Sequence, residues 1–321
     1  IRRPVVEPRT EPGGPQALTV DIDRFAANIE LLEGFSKEYG RWTLSGDAVL
    51  PRKGDKIANV AADSLTRKGD HLRLTAVIGE KPEDLRLNLR AAEAQGGPIA
   101  GSLGYSPDRP FSALAVVNGE VVDVVVKTGD LTPLSIKGRY GKAGSRISGH
   151  ADFSGSDLLA PFVERIGRTA VFGFAAAPDS RRKDVQGVAW RLSAENLTTH
   201  ARGLINLKDR AAPDGINLTI TTPSLTRLAG FTLAGPTTYE GVFKGDAKTW
   251  ALQGQADLHN ADIASYRAAR LSGPLSLSHS QGRFDVTTDA RAAGGSTDGI
   301  IGALLGATPH VKLEGSRTPD G

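Results

Sequence analysis

The sequence predicts an all-β fold with a few short helices, in which many hairpins build antiparallel sheet. Three observations carry that expectation: apolar and polar residues alternate with period two along most of the chain, Gly and Pro cluster between the alternating runs, and helical periodicity is confined to short islands. The 321 residues include 38 Gly and 18 Pro, about a sixth of the chain and above average usage, so much of the backbone must turn. Alternation this persistent describes antiparallel sheet with one apolar and one wet face. Buried parallel strands read instead as continuous apolar runs.

Residues 1–16 are a Pro-rich, charged lead-in without assignment, and 316–321 are a tail. Between them, 17–315 form one repeating region. Leu18, Val20 and Ile22 alternate with Thr19, Asp21 and Asp23. Leu72 and Leu74 share a face opposite His71 and Arg73, and Leu85, Leu87 and Leu89 oppose Arg86, Asn88 and Arg90. The same spacing continues through Val122, Val124 and Val126, then Ile147 and Phe153, Trp190 and Leu192, and Ile216, Leu218 and Ile220. It ends with Trp250 and Leu252, Leu275 and Leu277, and Phe284 and Val286. Turn residues at 53–55, 68–70, 118–120 and 213–215 read as hairpin turns.

Helical islands are expected near 25–36, 98–103, 157–166, 225–229 and 298–305. The clearest is capped by Ser156-Asp157, carries Leu159, Phe162, Val163 and Ile166 at i, i+3, i+4, i+7, and ends at Gly167. Phe25, Ile29 and Leu32 make another, Pro98 stands at a first helical position, and Leu225 and Leu228 precede Gly230. Ile301, Leu304 and Leu305 make the last. Their starts are 73, 59, 68 and 73 residues apart, which predicts an internal repeat of about 60–73 residues with about five strands in each unit.

Composition removes several function classes. With no Cys there are no disulfides, no thiolate-ligated metals and no thiol nucleophile. The formal net charge of +3 is too small and dispersed for a nucleic-acid-binding field, so nucleic acid is not an expected partner. The six histidines lie at least 20 residues apart, which excludes local metal pairs of the HExxH kind, and no metal or other cofactor is expected. No Gly-x-Ser-x-Gly elbow occurs, and Gly96 to Gly101 and Gly138 to Lys142 have the wrong spacing for a phosphate loop. Asp21/Asp23 and Asp285/Asp289 sit on polar parity, where solubility explains them. No catalytic residues are assigned, and an enzyme is the least supported class. Asn196-Leu197-Thr198 and Asn217-Leu218-Thr219 match the glycosylation sequon and are read as accidental matches. The longest apolar run, Ala170 to Ala177, is too short to span a bilayer, and there is no Met even at position 1, which suggests a piece of a longer polypeptide.

The feature that bears on function is the apolar face. If it lines a trough, the 21 side chains named above from Leu72 to Val286 would solvate acyl chains, each CH2 gaining about 0.8 kcal/mol on leaving water. If a second sheet covers it, the same residues form a dry core, and on alternation alone that is the simpler reading. Exposed strand edges would also suit a scaffold that holds other β-strands by augmentation. A β-solenoid adhesin with a packed core is a further alternative.

Three stretches carry a resemblance. Asp84 to Gly104 (DLRLNLRAAEAQGGPIAGSLG) resembles a strand followed by a "GPLAALLGL"-like helix, and Asp157 to Ala177 resembles an "L-x-P-L-x-x-x-x-G-x-x-G-x-L" helix and strand. Leu271 to Leu313 resembles an "L-x-G-x-L-x-L-x-x-G-x-L-x-L-x-x-x-A" hairpin followed by a Leu-rich helix. These patterns are similar to those of the AsmA-like superfamily of bridge-like lipid transfer proteins, in particular its TamB family. The resemblance implies an elongated, repeating antiparallel β-groove, taco-like, with a hydrophobic interior. It implies a periplasmic location in Gram-negative bacteria, with an inner-membrane tether N-terminal to these residues. The implied partners are phospholipid acyl chains, the remainder of a longer chain, and a TamA-type outer-membrane barrel engaged through other regions. Movement of phospholipid between the two membranes is the implied role, with assistance to outer-membrane protein insertion or secretion as a second one.

Overall fold

Hairpin connections dominate the computed structural model, which describes residues 19–32, 40–263, 266–296 and 308–318. By contact density the chain divides into two units, Ile1–Ala160 and Pro161–Gly321. The first holds β1 (Val20–Leu31), β2 (Gly40–Leu50), β3 (Lys56–Ser64), β4 (His71–Ile78), β5 (Arg86–Glu93), β6 (Phe111–Asn118), β7 (Val121–Thr128), β8 (Leu131–Arg139) and β9 (Ser145–Asp152). Each pairs antiparallel with the next, so this unit is a nine-stranded meander.

The second unit repeats the plan. It holds β10 (Thr169–Pro178), β11 (Val185–Ala194), β12 (Leu197–Asn206), β13 (Ala212–Thr222), β14 (Thr237–Gly245), β15 (Trp250–Ile263), β16 (Tyr266–Ser280), β17 (Arg283–Ser296) and β18 (His310–Arg317). These again pair in chain order. The all-β, antiparallel expectation therefore holds in both units.

In a meander, alternate connections fall on the same edge of the sheet. In each unit one rim carries tight turns, such as Gly119-Glu120, where Gly119 takes φ 58°. The opposite rim carries the helices: α1 (Pro98–Ser102) between β5 and β6, α2 (Ala160–Ile166) leading into β10, and α3 (Leu225–Ala229) between β13 and β14. A 3-10 turn at Asp157–Leu159 precedes α2. Ser224 caps α3 by accepting from the Arg227 N–H, and Gly230 ends it in the left-handed region at φ 84°. Among the described residues no helix is long and apolar enough to cross a membrane.

Three expectations are corrected. The island at 25–36 is strand as far as Leu31, because Phe25, Ala27, Ile29 and Leu31 pair with Gly46, Leu44, Trp42 and Gly40. Three apolar residues spaced by four and three fit helix and strand parity about equally well, and pairing decides. Residues 33–39 lie outside the described residues, as does the 298–305 island. Successive helices are separated by four strands, not five, because strands of 8–15 residues are longer than the average assumed. Pro213 to Gly215 is not a turn. It lies within β13 as an irregularity in the pairing with β14, with Gly215 at φ 92°, and residues 207–210 turn instead.

The fully buried residues are small or sit at the helix-bearing rim. Ala100, Tyr105 and Phe111 form one cluster, with the two rings 6.2 Å apart. Ala234, Ala261, Ala268, Leu271, Ala290 and Ala292 form another.

Candidate apolar binding face

Residues directly opposite in an antiparallel ladder share a face, so the registers sort every strand residue onto one side of its sheet. In the first unit three rows cross all nine strands from β1 to β9. They run Ile22–Ala48–Ala58–Ala76–Leu87–Val117–Val122–Gly138–Ile147, then Phe25–Gly46–Val60–Leu74–Leu89–Ala115–Val124–Ile136–Gly149, then Ala27–Leu44–Ala62–Leu72–Ala91–Ala113–Val126–Leu134–Ala151. Each of those 27 positions is apolar or Gly. On the other side Arg73 faces Arg90, Thr75 faces Asn88, and Asp123 faces Lys137.

The second unit carries matching rows. One runs Ala176–Val188–Gly203–Ile216–Phe243–Leu252–Leu277–Val286–Gly315, and its neighbour runs Phe174–Trp190–Ala201–Leu218–Gly241–Gly254–Leu275–Thr288–Leu313. Polar residues enter at Thr288, at Thr199 in the row of Leu192 and Ile220, and at Tyr239 beside Ile220. The Tyr239 hydroxyl is buried without a hydrogen-bond partner, and burial pushes its phenol pKa up.

Within each unit, then, the residues singled out from the sequence lie on one face. Leu85 and Phe153 fall just beyond the ends of β5 and β9 but keep that parity. None of the 21 is buried. Trp190 is 44% exposed and the others are half-buried, whereas large aliphatic side chains in a closed sandwich are mostly buried completely.

Glycines interrupt the rows where adjoining backbone comes close. A Cβ on Gly46 would run into the Asn59 carbonyl oxygen and the Phe25 ring, and one on Gly254 into the Glu240 carbonyl. Both Cβ positions are on the apolar side, so at these points the neighbouring backbone leans toward that side. Phe25 over Gly46 and Tyr239 over Gly241 place an aromatic ring where the glycine has no side chain of its own.

At the helix-bearing rim buried polar groups tie helices to strands. Glu93, 1% exposed, accepts from the Ile99 and Ala100 N–H groups at 2.8 and 2.9 Å, so a carboxylate fills the anion position of the Gly96–Gly101 segment that resembles a phosphate loop. Burial raises the Glu93 pKa against the lowering effect of those hydrogen bonds, and nearby Asp70 adds to the rise. In the second unit Asn196, 2% exposed, donates to the Arg165 carbonyl (2.8 Å) and the Ser224 carbonyl (3.1 Å) and accepts from the Ser224 N–H (3.1 Å) and the Thr222 hydroxyl (3.3 Å). One side chain thereby joins the end of α2 to the start of α3. The asparagine of that sequon is therefore buried, while Asn217 is exposed on the polar face of β13.

At the turn rim of the second unit the apolar face ends in an open cleft of about 280 Å³. Ile205, Ile216, Phe243 and Trp250 line it, with Arg210 and Asp246 among the polar groups there. The Trp250 ring lies 6.0 Å from Phe243, 6.0 Å from His279, and 6.1 Å from Phe284. Asp246 accepts the Lys248 and Thr249 N–H groups at 2.7 Å each, and these bonds hold its carboxyl below the usual range. Sequence reasoning missed this cleft because Arg210 and Asp246 occupy turns, where charge signals only solvation. Among the described residues no His, Cys, Asp and Glu side chains cluster as a metal site. Comparison with protein-family models, curated proteins and solved structures finds no match for this chain.

Proposed function

We propose that this chain is a segment of a bridge-like lipid conduit in which phospholipid acyl chains lie along the apolar sheet face. The observation that supports the reading most strongly is the set of continuous apolar rows whose large side chains are half-buried and not packed away. Such a face lowers its free energy by taking up hydrocarbon, at about 0.8 kcal/mol per CH2. It offers acyl chains few directional contacts, so a bound lipid slides along a row from strand to strand.

The TamB-like stretches within the AsmA-like resemblance support a location in the Gram-negative periplasm. There phospholipid would pass between the inner and outer membranes, and further parts of a longer chain would supply the tether and the contact with a TamA-type barrel. The test is mass spectrometry of lipid extracted from the purified protein. Stoichiometric phospholipid is the expected result. Lipid-free, stable protein would return the apolar face to the packed-core reading.

A further inference from the structure

Resting on the lipid reading, we propose that the cleft at the turn rim of the second unit seats a zwitterionic headgroup, a phosphate linked to an amino alcohol. The chemistry is complementary at both ends. Arg210 lines the cleft, is exposed, and takes part in none of the ion pairs among the described residues, so its guanidinium can take a phosphate through two parallel N–H donors. Asp246 lines the same cleft, and its carboxylate is fixed in place by two backbone donors, which leaves acceptor capacity for an ammonium group. Trp250 and Phe243 add ring faces that attract a cation.

The surroundings suit an amphiphile better than a free metabolite. Ile216 and Phe243 of the cleft belong to the apolar row that continues to Leu252, Leu277 and Val286. A headgroup at Arg210 and Asp246 thus leaves its acyl chains on that row. An indole at the boundary between apolar rows and charged turns matches the level at which glycerol esters separate chains from headgroup. A purely anionic headgroup satisfies Arg210 but is repelled by Asp246, and a headgroup-free diacylglycerol satisfies neither.

The experiment uses the full chain with short-chain phosphatidylethanolamine, phosphatidylcholine, phosphatidylglycerol and diacylglycerol, each titrated and read by native mass spectrometry, with circular dichroism to verify the fold of each variant. Either zwitterionic lipid should bind about tenfold tighter than diacylglycerol, the gain expected of one charge-assisted hydrogen-bonded contact between Arg210 and the phosphate, and about tenfold tighter than phosphatidylglycerol, which has no cation to offset the repulsion from Asp246. Comparing the two zwitterionic lipids separates a hydrogen-bonded primary ammonium at Asp246 from a quaternary one on Trp250. R210A should abolish the advantage over diacylglycerol, and D246N the advantage over phosphatidylglycerol. Equal binding of all four lipids, or unchanged preference in both variants, overturns the headgroup inference and leaves the acyl-chain reading standing. Binding of none of them overturns the acyl-chain reading itself.

Discussion

Replacing Asn196 by Ala tests how the helix-bearing rim is held. The side chain makes four hydrogen bonds at 2.8–3.3 Å while 2% exposed, to groups in α2, in β13 and at the cap of α3. The Ser224 N–H keeps a second acceptor in the Thr222 hydroxyl, at 3.2 Å, so it is not orphaned by the change. The Arg165 and Ser224 carbonyls lose the amide donor, and a cavity the size of a carboxamide remains. At about 1 kcal/mol for each hydrogen bond, and more for each buried group left unpaired, N196A should cost about 2–4 kcal/mol. For a unit of this size that lowers the Tm by about 5–15 °C. N196D should cost at least as much, because a buried carboxylate would then face two carbonyl oxygens. N217A, on the exposed polar face, should stay within about 0.5 kcal/mol of the parent. Urea and thermal unfolding followed by far-UV circular dichroism measure all three. If N196A is as stable as N217A, the rim is not held in the way described.

Three further outcomes are expected. Burial raises the Glu93 pKa, so the stability linked to this group is fully present below the ordinary carboxylate value of 4.5 and falls as pH rises through the raised value. Urea midpoints between pH 4 and 8 should decline over that window in the parent, and E93Q should flatten the slope. G46A puts a methyl group against the Asn59 carbonyl and the Phe25 ring and should cost about 1–3 kcal/mol in chemical unfolding, whereas G315A, with open space around it, should be within about 0.5 kcal/mol of neutral. L87R and V124R each place a charge among apolar rows at a cost of several kcal/mol when lipid covers it, so the lipid-to-protein ratio of either variant should fall well below that of the parent.

Much of the face was legible in the sequence because side-chain direction in a strand depends only on parity. Leu72, Leu87, Val124, Ile216 and Leu277 needed no knowledge of register to be assigned to the apolar side. The helices at Pro98, Ala160 and Leu225 were legible for a different reason, since Pro98, Ser224, Gly167 and Gly230 mark ends locally, whereas Ser156, read as the cap before α2, makes no capping bond and donates its hydroxyl to the Leu103 carbonyl instead. What stayed hidden depends on pairing. Phe25, Ile29 and Leu32 carry too few apolar positions to separate the two periods, and only the ten-residue partnership with β2 makes that segment strand. Glu93 caps α1 from the preceding strand, outside the spacing of a capping box, and Asn196 looked like a sequon until its four partners came together around it. The cleft joins turns that lie far apart in sequence, and no local pattern reports that.

Photo-crosslinking residue by residue reports directly which side of the sheet the acyl chains touch. Probes at Leu87, Val124 and Phe284 point to the apolar side, and probes at their neighbours Arg86, Asp123 and Asp285 point to the other. The expected result is phospholipid adducts at the first three positions and none at the second three. Equal labelling of both sets would contradict the claim that acyl chains lie along this face.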